Sequence, residues 1–384
     1  MNPIFAAQGT SIFARMSELA ARHRAVNLGQ GFPDFGWPED VLERAAEAVR
    51  NGSNQYAPMR GLPELREGIA AHYRTRQGLE IDADQVTVTS GATEAIAAAL
   101  MALITPGDEV VLFPPLYDAY LPLVLRAGGI PRFVRLAPPD WRITEEVLAA
   151  AFSDLTGLVV FNNPHNPASR VFDEAELALV AEHCVRHDVL ALSDEVWEHI
   201  VFDGRRHIPL ASLPGMAERT IKIGSAGKIF SLTGWKVGWA VAPPPLAAIF
   251  AAAHQFIAFC TPPNLQQAVA FGLGKEDDYY DSMRSGFAAA RDSMASGLKE
   301  RGFVALPAEG TYFVLIDLAA SGVSAGDVEF CERAVRECGI AAIPVSVFYP
   351  SESATNVVRL CFAKRPETLA AGLDGLAKAR ALFR

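Results

Sequence analysis

Residues 220–236 of the chain read Thr220-Ile-Lys-Ile-Gly-Ser-Ala-Gly-Lys228-Ile-Phe-Ser-Leu-Thr-Gly-Trp-Lys236. The first four residues predict a strand, and Lys228 follows among Gly, Ala, Ile and Phe with no acid close in sequence. A lysine in apolar surroundings has a lowered pKa and can act as a neutral amine nucleophile, although such a side chain can also extend its ammonium to the surface. A phosphate-binding P-loop is excluded, because Lys222 stands where that pattern requires Gly and Ile229 stands where it requires Ser or Thr.

Short apolar, β-branched runs alternate with longer helical patterns on both sides of this stretch. The predicted strands are Val86–Thr89, Glu109–Phe113, Pro131–Leu136, Leu158–Asn162, Val189–Ser193, Thr220–Ile223 and Trp239–Ala242. The predicted helices between them include Thr93–Ile104, Asp173–Arg186 and Pro245–Phe259. This alternation predicts an α/β fold with a mostly parallel, seven-stranded sheet that helices cover on both faces.

The pattern changes after a charged helical stretch from Lys275 to Arg301. Short strands are predicted at Phe303–Leu306, Thr311–Asp317, Ala341–Pro344 and Val357–Phe362, with helices at Ala325–Glu337 and Pro366–Leu382. We therefore expect a large domain over residues 41–280 and a smaller α+β domain made of residues 1–40 and 281–384.

Composition excludes several classes of protein. The chain has 384 residues, of which 50% are hydrophobic and 20% charged, as in a globular protein with a large core. Its net charge of −10 argues against binding of nucleic acid, which needs clustered Lys and Arg. The five cysteines are scattered, and no signal peptide or membrane-spanning run is present. A soluble cytoplasmic protein is expected.

Three further strand ends carry polar residues, and ligands of such sheets bind beyond the carboxyl ends of the strands. The run Val86-Thr-Val-Thr-Ser-Gly-Ala-Thr93 leads into a helix whose N–H groups suit a phosphate, or it forms an ordinary turn and N-cap. The run Asn162-Asn-Pro-His-Asn-Pro167 either points an amide at a ligand or only shapes a turn. Asp194 ends an apolar strand and needs a positive partner, either a protonated ring nitrogen or a nearby arginine.

Together the four strand ends supply a phosphate site, a donor, a buried acid and an amine nucleophile. Pyridoxal 5′-phosphate requires this combination: a phosphate site, a partner for its phenolate oxygen, a carboxylate on its ring nitrogen and a lysine for the Schiff base. The coincidence favours this cofactor over four unrelated structural explanations.

Eight runs spread over nearly the whole chain carry a resemblance to a known family. They are Asn27-Leu-Gly-Gln-Gly-Phe-Pro-Asp-Phe35, Asn54-Gln-Tyr-Ala-Pro58, Ser90-Gly-Ala-Thr-Glu-Ala95, Asn162-Asn-Pro-His-Asn-Pro167, Ser193-Asp-Glu-Val-Trp-Glu198, Gly227-Lys-Ile-Phe-Ser-Leu-Thr-Gly-Trp-Lys-Val-Gly238, Glu309-Gly-Thr-Tyr-Phe313 and Val358-Arg-Leu-Cys-Phe-Ala363. With them the chain resembles the class I/II aminotransferases of PLP fold type I, most of all the methionine/kynurenine–oxoglutarate aminotransferase branch. The resemblance implies that the large domain binds pyridoxal 5′-phosphate.

The resemblance also implies roles for individual residues at the cofactor. Lys228 would form the Schiff base and move the proton, Asp194 would keep the ring nitrogen protonated, and Tyr117 would stack on the ring. The phosphate would be held by Ala92, Thr93, Ser225 and Lys236, with Tyr56 reaching across from the second subunit of a homodimer. Asn166 would bond the phenolate oxygen. Trp197 stands where the family usually has Tyr, which puts a second hydrogen bond to that oxygen in question.

At the substrate, the resemblance implies that Arg359 clamps the carboxylate with its planar guanidinium, assisted by Asn166 and the backbone N–H of Gly31. Phe13 would form an aromatic wall for the substrate side chain. Arg60 either binds the distal carboxylate of 2-oxoglutarate or glutamate, or it is a solvated loop arginine.

We therefore expect an aminotransferase that moves the amino group of an apolar or aromatic amino acid, such as methionine, kynurenine or phenylalanine, to a 2-oxo acid. A cysteine-conjugate or cystathionine β-lyase on the same fold is the enzymatic alternative. A transcriptional regulator that uses this fold would need an added DNA-binding domain, and most of the residues before Val86 already match the enzyme.

Overall fold

The computed structural model describes residues 2–350 and 356–383. Its helices are α1 (Pro3–Gln8), α2 (Ile12–His23), α3 (Glu39–Asn51), α4 (Pro63–Gln77), α5 (Ala92–Leu103), α6 (Tyr120–Ala127), α7 (Glu145–Ala149), α8 (Glu174–Arg186), α9 (Ala226–Ile229), α10 (Pro244–Ile257), α11 (Pro263–Leu273), α12 (Asp277–Glu300), α13 (Asp327–Cys338) and α14 (Pro366–Leu382). Within the described residues, no helix combines the length and apolar character needed to cross a membrane.

The strands lie in three sheets. They are β1 (Val26–Asn27), β2 (Val86–Thr89), β3 (Glu109–Leu112), β4 (Ile130–Phe133), β5 (Thr156–Asn162), β6 (Leu190–Asp194), β7 (Thr220–Ser225), β8 (Gly238–Val241), β9 (Val304–Ala305), β10 (Phe313–Asp317), β11 (Ile340–Ala341), β12 (Ile343–Pro344) and β13 (Val357–Cys361). The largest sheet has seven strands in the order β2-β8-β7-β6-β5-β3-β4.

The seven-stranded sheet confirms the predicted α/β fold. All neighbours from β7 to β4 pair in parallel, whereas β8 runs antiparallel to both β2 and β7. The central strands are buried almost throughout, because helices cover both faces. The parallel strands β5, β6 and β7 therefore end at one edge of the sheet, where their following residues meet.

The C-terminal part forms a four-stranded sheet in the order β12-β13-β10-β9, with antiparallel pairing. The single strand predicted over Ala341–Pro344 is instead two strands in different sheets. β11 pairs in parallel with β1 near the N-terminus, and β12 pairs with β13. Residues 26–27 thus pack on the C-terminal part of the chain. The domain boundaries at residues 40 and 280 stay a prediction.

A group of buried charges lies where β6 and β7 end, against α4. Lys222 of β7 donates hydrogen bonds to Glu195 and, over 2.7 Å, to Glu198. The Nε2 of His207 lies 2.7 Å from Glu195, and the hydroxyl of Tyr73 donates to Glu198 over 3.1 Å. Burial alone would raise the pKa of Glu195, but Lys222 and His207 outweigh it and bring the pKa to about 2. Glu195 is therefore held as a paired carboxylate in the interior.

Candidate active site

A cavity of about 700 Å³, including its mouth, opens at the carboxyl ends of the parallel strands. It is lined by residues from five strand ends and the elements that follow them: Gly91, Ala92, Thr93, Ile96, Tyr117, Tyr120, Asn162, Asn166, Asp194, Val196, Trp197, Ser225, Gly227, Lys228, Thr233, Lys236 and Val237. All but four of the residues predicted for the site are in this lining.

Lys228 lies in the single turn of α9, directly after β7. Its Nζ donates a hydrogen bond to the hydroxyl of Tyr312 over 3.1 Å and lies 4.7 Å from the centre of the Trp197 ring. Burial among these aromatic side chains lowers the pKa of Lys228 to about 8. The predicted reactive lysine is therefore placed in the cavity with an amine that is easily deprotonated.

Asp194 ends β6, and its side chain points into the same cavity. Oδ2 accepts a 2.6 Å hydrogen bond from Tyr120, and Oδ1 accepts a longer one of 3.3 Å from the backbone N–H of Val196. Burial raises the pKa of Asp194, which the hydrogen bond from Tyr120 partly offsets. A carboxylate in this position favours a cationic ligand atom beside it.

The opposite end of the cavity is suited to an anion. Helix α5 begins at Ala92, after Gly91, whose φ of +79° is a conformation that favours glycine. A Cβ atom on Gly91 would lie 3.0 Å from Nζ of Lys236, so the ammonium sits directly against the start of the helix. The N-terminus of a twelve-residue helix and a lysine together bind a phosphate well. Ser225 and Thr93 line the same end.

The side chains of Tyr117 and Asn166 line the walls between these two ends of the cavity. The hydroxyl of Tyr117 lies 3.3 Å from that of Thr93. The backbone N–H of Asn166 donates to Oδ1 of Asn162 over 2.8 Å, which fixes the loop after β5. Because Oδ1 of Asn166 accepts from Arg359, the group of Asn166 that can serve a ligand is its Nδ2 donor.

Arg359 lies on β13 and adjoins the cavity through Asn166. Its Nη1 donates to Oδ1 of Asn166 over 2.8 Å and its Nη2 to the carbonyl of Gly29 over 3.1 Å. Its buried Nε has no partner within the part of the chain that the structure describes. The guanidinium carbon lies 3.9 Å from the centre of the Phe313 ring and 5.1 Å from that of Phe13. Burial lowers the pKa of Arg359 to about 10, which still leaves it charged at neutral pH.

Phe13 lies beside Arg359, and Gly31 packs on Phe313, whose ring Arg359 also contacts. Both residues lie outside the lining of the cavity. The carbonyl of Gly31 accepts a 2.7 Å hydrogen bond from Tyr312. A Cβ atom on Gly31 would lie 2.6 Å from the Phe313 ring, so only glycine fits there without displacement. The ring of Phe13 lies 5.7 Å from that of Phe348, and the two form an apolar wall.

Tyr56 and Arg60 lie away from the cavity of their own chain. Tyr56 is 85% exposed and packs edge-to-face on Phe259 at 5.8 Å. Arg60 is half-buried, and it donates to Thr87 over 3.2 Å and to the carbonyl of Asp84. Arg60 is therefore tied to its own chain, which favours a structural role over recognition of a distal carboxylate.

Two site residues were missed in the sequence. Tyr120 is the first residue of α6 and lies three positions after Tyr117, which precedes the helix, so no helical spacing pointed to it. Tyr312 belongs to the run Glu309-Gly-Thr-Tyr-Phe313, which carried the resemblance but was given no role. Trp197 lies edge-on to Tyr312 with ring centres 4.5 Å apart.

The donor set fits pyridoxal 5′-phosphate. The start of α5 with Lys236 suits its phosphate, the buried carboxylate of Asp194 suits a protonated ring nitrogen, and Lys228 suits its aldehyde carbon.

Comparison with known proteins gives the same result. The family described as aminotransferase class I and II matches residues 23–376. The chain is 42% identical over 369 residues to the methionine aminotransferase of Escherichia coli (strain K12), an alignment that covers 96% of this chain and 95% of that protein. It is 36% identical over 409 residues to the kynurenine–oxoglutarate transaminase of Dictyostelium discoideum, with 96% and 94% covered.

Solved structures share the fold over nearly the whole chain. The N-succinyldiaminopimelate aminotransferase from Mycobacterium tuberculosis superposes with a TM-score of 0.95 at 42% identity, covering 98% of this chain and 99% of that one. The chain therefore belongs to the class I and II aminotransferases, which use pyridoxal 5′-phosphate, and it transaminates amino acids.

Proposed function

We propose that the protein transfers the amino group of an α-amino acid with an apolar or aromatic side chain to a 2-oxo acid. The observation that carries the proposal is that Lys228 and Asp194 line one cavity. Arg359 adjoins this cavity, because it donates a hydrogen bond to Asn166 in the lining. An amine base, an acid for a ring nitrogen and a clamp for a carboxylate are the groups that transamination requires.

Several residues of the cavity would each serve one part of the cofactor. When bound, pyridoxal 5′-phosphate supplies a ring that accepts the electrons of a carbanion at the substrate α-carbon. Asp194 would hold a proton on the ring nitrogen, Asn166 would donate Nδ2 to the phenolate oxygen, and Tyr117 would pack on the ring. The phosphate would be held by Ala92, Thr93, Ser225 and Lys236. The ring of Trp197 packs against Lys228.

Lys228 is the residue that would hold the aldehyde carbon of the cofactor and would act as the base that moves the proton. At pH 7 a lysine with a pKa of about 8 is neutral in about a tenth of the molecules, against about one in 3,000 for an ordinary lysine. Neutral Nζ would accept the proton of the substrate α-carbon and, as an ammonium, would donate it again on the cofactor side of the transferred nitrogen. The second half of the reaction runs the same steps in reverse, which gives ping-pong kinetics.

Arg359 and Gly31 bind the substrate carboxylate, and the wall beside them favours apolar side chains. The rings of Phe13 and Phe348 flank the guanidinium of Arg359. The named activities of the relatives, toward methionine, kynurenine and N-succinyldiaminopimelate, share the α-amino carboxylate and differ in the side chain. The aromatic wall supports methionine and aromatic amino acids as the donors.

A second copy of the chain completes the site. Tyr56, Phe256 and Phe259 are large exposed apolar side chains on adjacent segments, which supports an interface between two subunits. Tyr56 of one subunit then reaches the phosphate held by the other. The cysteines of the described residues are unpaired, which supports a reducing, cytoplasmic location.

The proposal is tested with a panel of donors added to the loaded enzyme without an acceptor, while absorbance of the bound cofactor is recorded. Methionine and phenylalanine should react at least ten times faster than aspartate and N-succinyldiaminopimelate. A faster reaction with N-succinyldiaminopimelate would overturn the choice of donor. Release of pyruvate and ammonia from a cysteine conjugate, without a 2-oxo acid, would instead indicate the β-lyase.

The role of Lys228 is tested separately. In Lys228→Ala the loaded enzyme should lose activity by several orders of magnitude, and borohydride should no longer fix the cofactor to the protein. The matched control is Lys275→Ala, because Lys275 pairs with Asp40 on the surface. A reduced adduct at Lys236 in Lys228→Ala would show that the two lysines have exchanged roles.

A further inference from the structure

We infer that Tyr312 is a positioning residue for Lys228, and that it holds the lysine amine whenever that amine is not bonded to the cofactor. The inference rests on the proposed role of Lys228 as the base. Three segments meet at the hydroxyl of Tyr312: α9 with Lys228, the start of β10, and the segment that contains Gly31.

The directions of two hydrogen bonds show that Tyr312 acts as an acceptor toward Lys228. Its hydroxyl donates to the carbonyl of Gly31 over 2.7 Å, so its proton is committed. The lone pairs of the oxygen then accept from Nζ of Lys228 over 3.1 Å. An acceptor stabilises the ammonium relative to the neutral amine. Tyr312 thus opposes the effect of burial on Lys228.

The ring of Tyr312 is fixed on all sides. It is fully buried and lies 4.5 Å from the ring of Trp197, 5.0 Å from that of Phe313 and 6.0 Å from that of Phe287. The residues before it are pinned by backbone hydrogen bonds, from Thr311 to Ile200 over 2.9 Å among others. The hydroxyl is therefore held in place, which suits a group that must bind the Lys228 amine each time that amine leaves the cofactor.

This arrangement connects the base to the carboxylate site. Gly31, which offers its N–H to the substrate carboxylate, gives its carbonyl to Tyr312. Tyr312 in turn holds the amine that must reach the α-carbon of the same substrate. A side chain that lacks the hydroxyl leaves both the Gly31 carbonyl and the Lys228 amine without this partner.

Other charged and titratable groups also face Lys228 and influence its pKa. Asp194 and Cys361 favour its charged form, whereas Lys236 and Arg359 disfavour it. Tyr312→Phe leaves all four of these residues in place and removes only a hydroxyl, which also interacts with Arg359 and Cys361. A difference between the parent and this variant therefore reports the loss of the hydroxyl.

The test measures the pKa of Lys228 in the full-length protein freed of cofactor. The protein is labelled briefly with an amine-specific acylating reagent across pH 6–11, and the Lys228 peptide is quantified by mass spectrometry. In Tyr312→Phe the midpoint of the labelling curve should fall by about one pH unit, because the ammonium has lost a hydrogen-bond acceptor. With the cofactor restored, kcat should fall about tenfold.

Tyr280→Phe is the matched control, since Tyr280 is also buried but its hydroxyl lies 3.5 Å from Nδ1 of His72. This variant should label with the midpoint of the parent. Tyr312→Leu serves as a second variant if Tyr312→Phe does not fold, with the same expected shift. A midpoint within 0.3 units of the parent, or an equal shift in Tyr280→Phe, overturns the inference even if the parent transaminates normally.

Discussion

The hydroxyl of Tyr120 donates a 2.6 Å hydrogen bond to Oδ2 of Asp194, from the first residue of α6 to the last of β6. The bond orients the carboxylate and leaves Oδ1, whose bond to the N–H of Val196 is longer at 3.3 Å, as the oxygen better able to accept a new donor. It also lowers the pKa of Asp194, against the rise caused by burial. Tyr120 therefore helps to keep a buried acid charged.

Tyr120→Phe should weaken binding of pyridoxal 5′-phosphate by about tenfold or more, since a hydrogen bond to a charged group contributes about 1.5–3 kcal/mol. Without the hydroxyl the pKa of Asp194 rises further, and the neutral acid no longer pairs with a protonated ring nitrogen. Equilibrium dialysis at pH 7 gives the Kd. Tyr280→Phe, which removes a buried hydroxyl that lies 3.5 Å from Nδ1 of His72, should leave the Kd unchanged. Equal Kd values for Tyr120→Phe and the parent would contradict this role.

Incorporation of the cofactor into the cofactor-free protein should accelerate as the pH rises, with a midpoint near pH 8. The reacting form of Lys228 is the neutral amine, and burial lowers its pKa from 10.5 to about 8. The rate should thus fall about tenfold per pH unit below 7 and level off above 9. Stopped-flow absorbance measures the rate. A midpoint above pH 10 would mean that the lysine is solvated.

Arg359→Ala should raise KM for every amino acid by roughly 10- to 200-fold, because a charge-assisted hydrogen bond is worth about 1.5–3 kcal/mol. The absorbance of the bound cofactor should remain, since Arg359 lies outside the lining of the cavity. Steady-state kinetics with methionine and phenylalanine test the prediction. Loss of the cofactor with KM unchanged would assign Arg359 to the scaffold instead.

Lys222→Met should destabilise the fold by about 3–5 kcal/mol, because it leaves Glu195 and Glu198 buried without their cation. Urea unfolding of the cofactor-free protein gives the free energy of unfolding. Arg22→Met removes a pair with Glu18 that is exposed to solvent and should cost less than about 1 kcal/mol. Similar costs for the two variants would show that the buried pairs contribute no more than a surface pair.

Much of the fold and of the site follows from the sequence for a physical reason. Strand–helix alternation leaves few topologies, and parallel strands bring their carboxyl ends to one edge. Asp194 and Lys228 each follow an apolar run there, so their meeting in one cavity was predictable without distances.

Contacts that depend on the exact path of the backbone were not predictable. Tyr312 meets Lys228 across 84 positions of sequence, and only the docking of β10 beside α9 brings them together. Lys222 was noticed only as a mismatch to the P-loop pattern, because its partners Glu195 and Glu198 lie more than 20 positions earlier in the sequence. The tie between Arg60 and the carbonyl of Asp84 likewise depends on tertiary packing.

The consecutive acids Asp194 and Glu195 send their side chains in opposite directions at the end of β6. Asp194 meets Tyr120 at the cavity, and Glu195 meets Lys222 and His207 in the interior. A residue of the active-site cavity and a residue of the buried charged group are therefore adjacent in the sequence. Because side chains alternate along a strand, inserting a single residue in β6 would place Ser193 at the cavity and Asp194 in the interior. Deleting one would place Glu195 at the cavity and Val196 in the interior. The length of β6 is therefore as strict a requirement for activity as the identity of either acid.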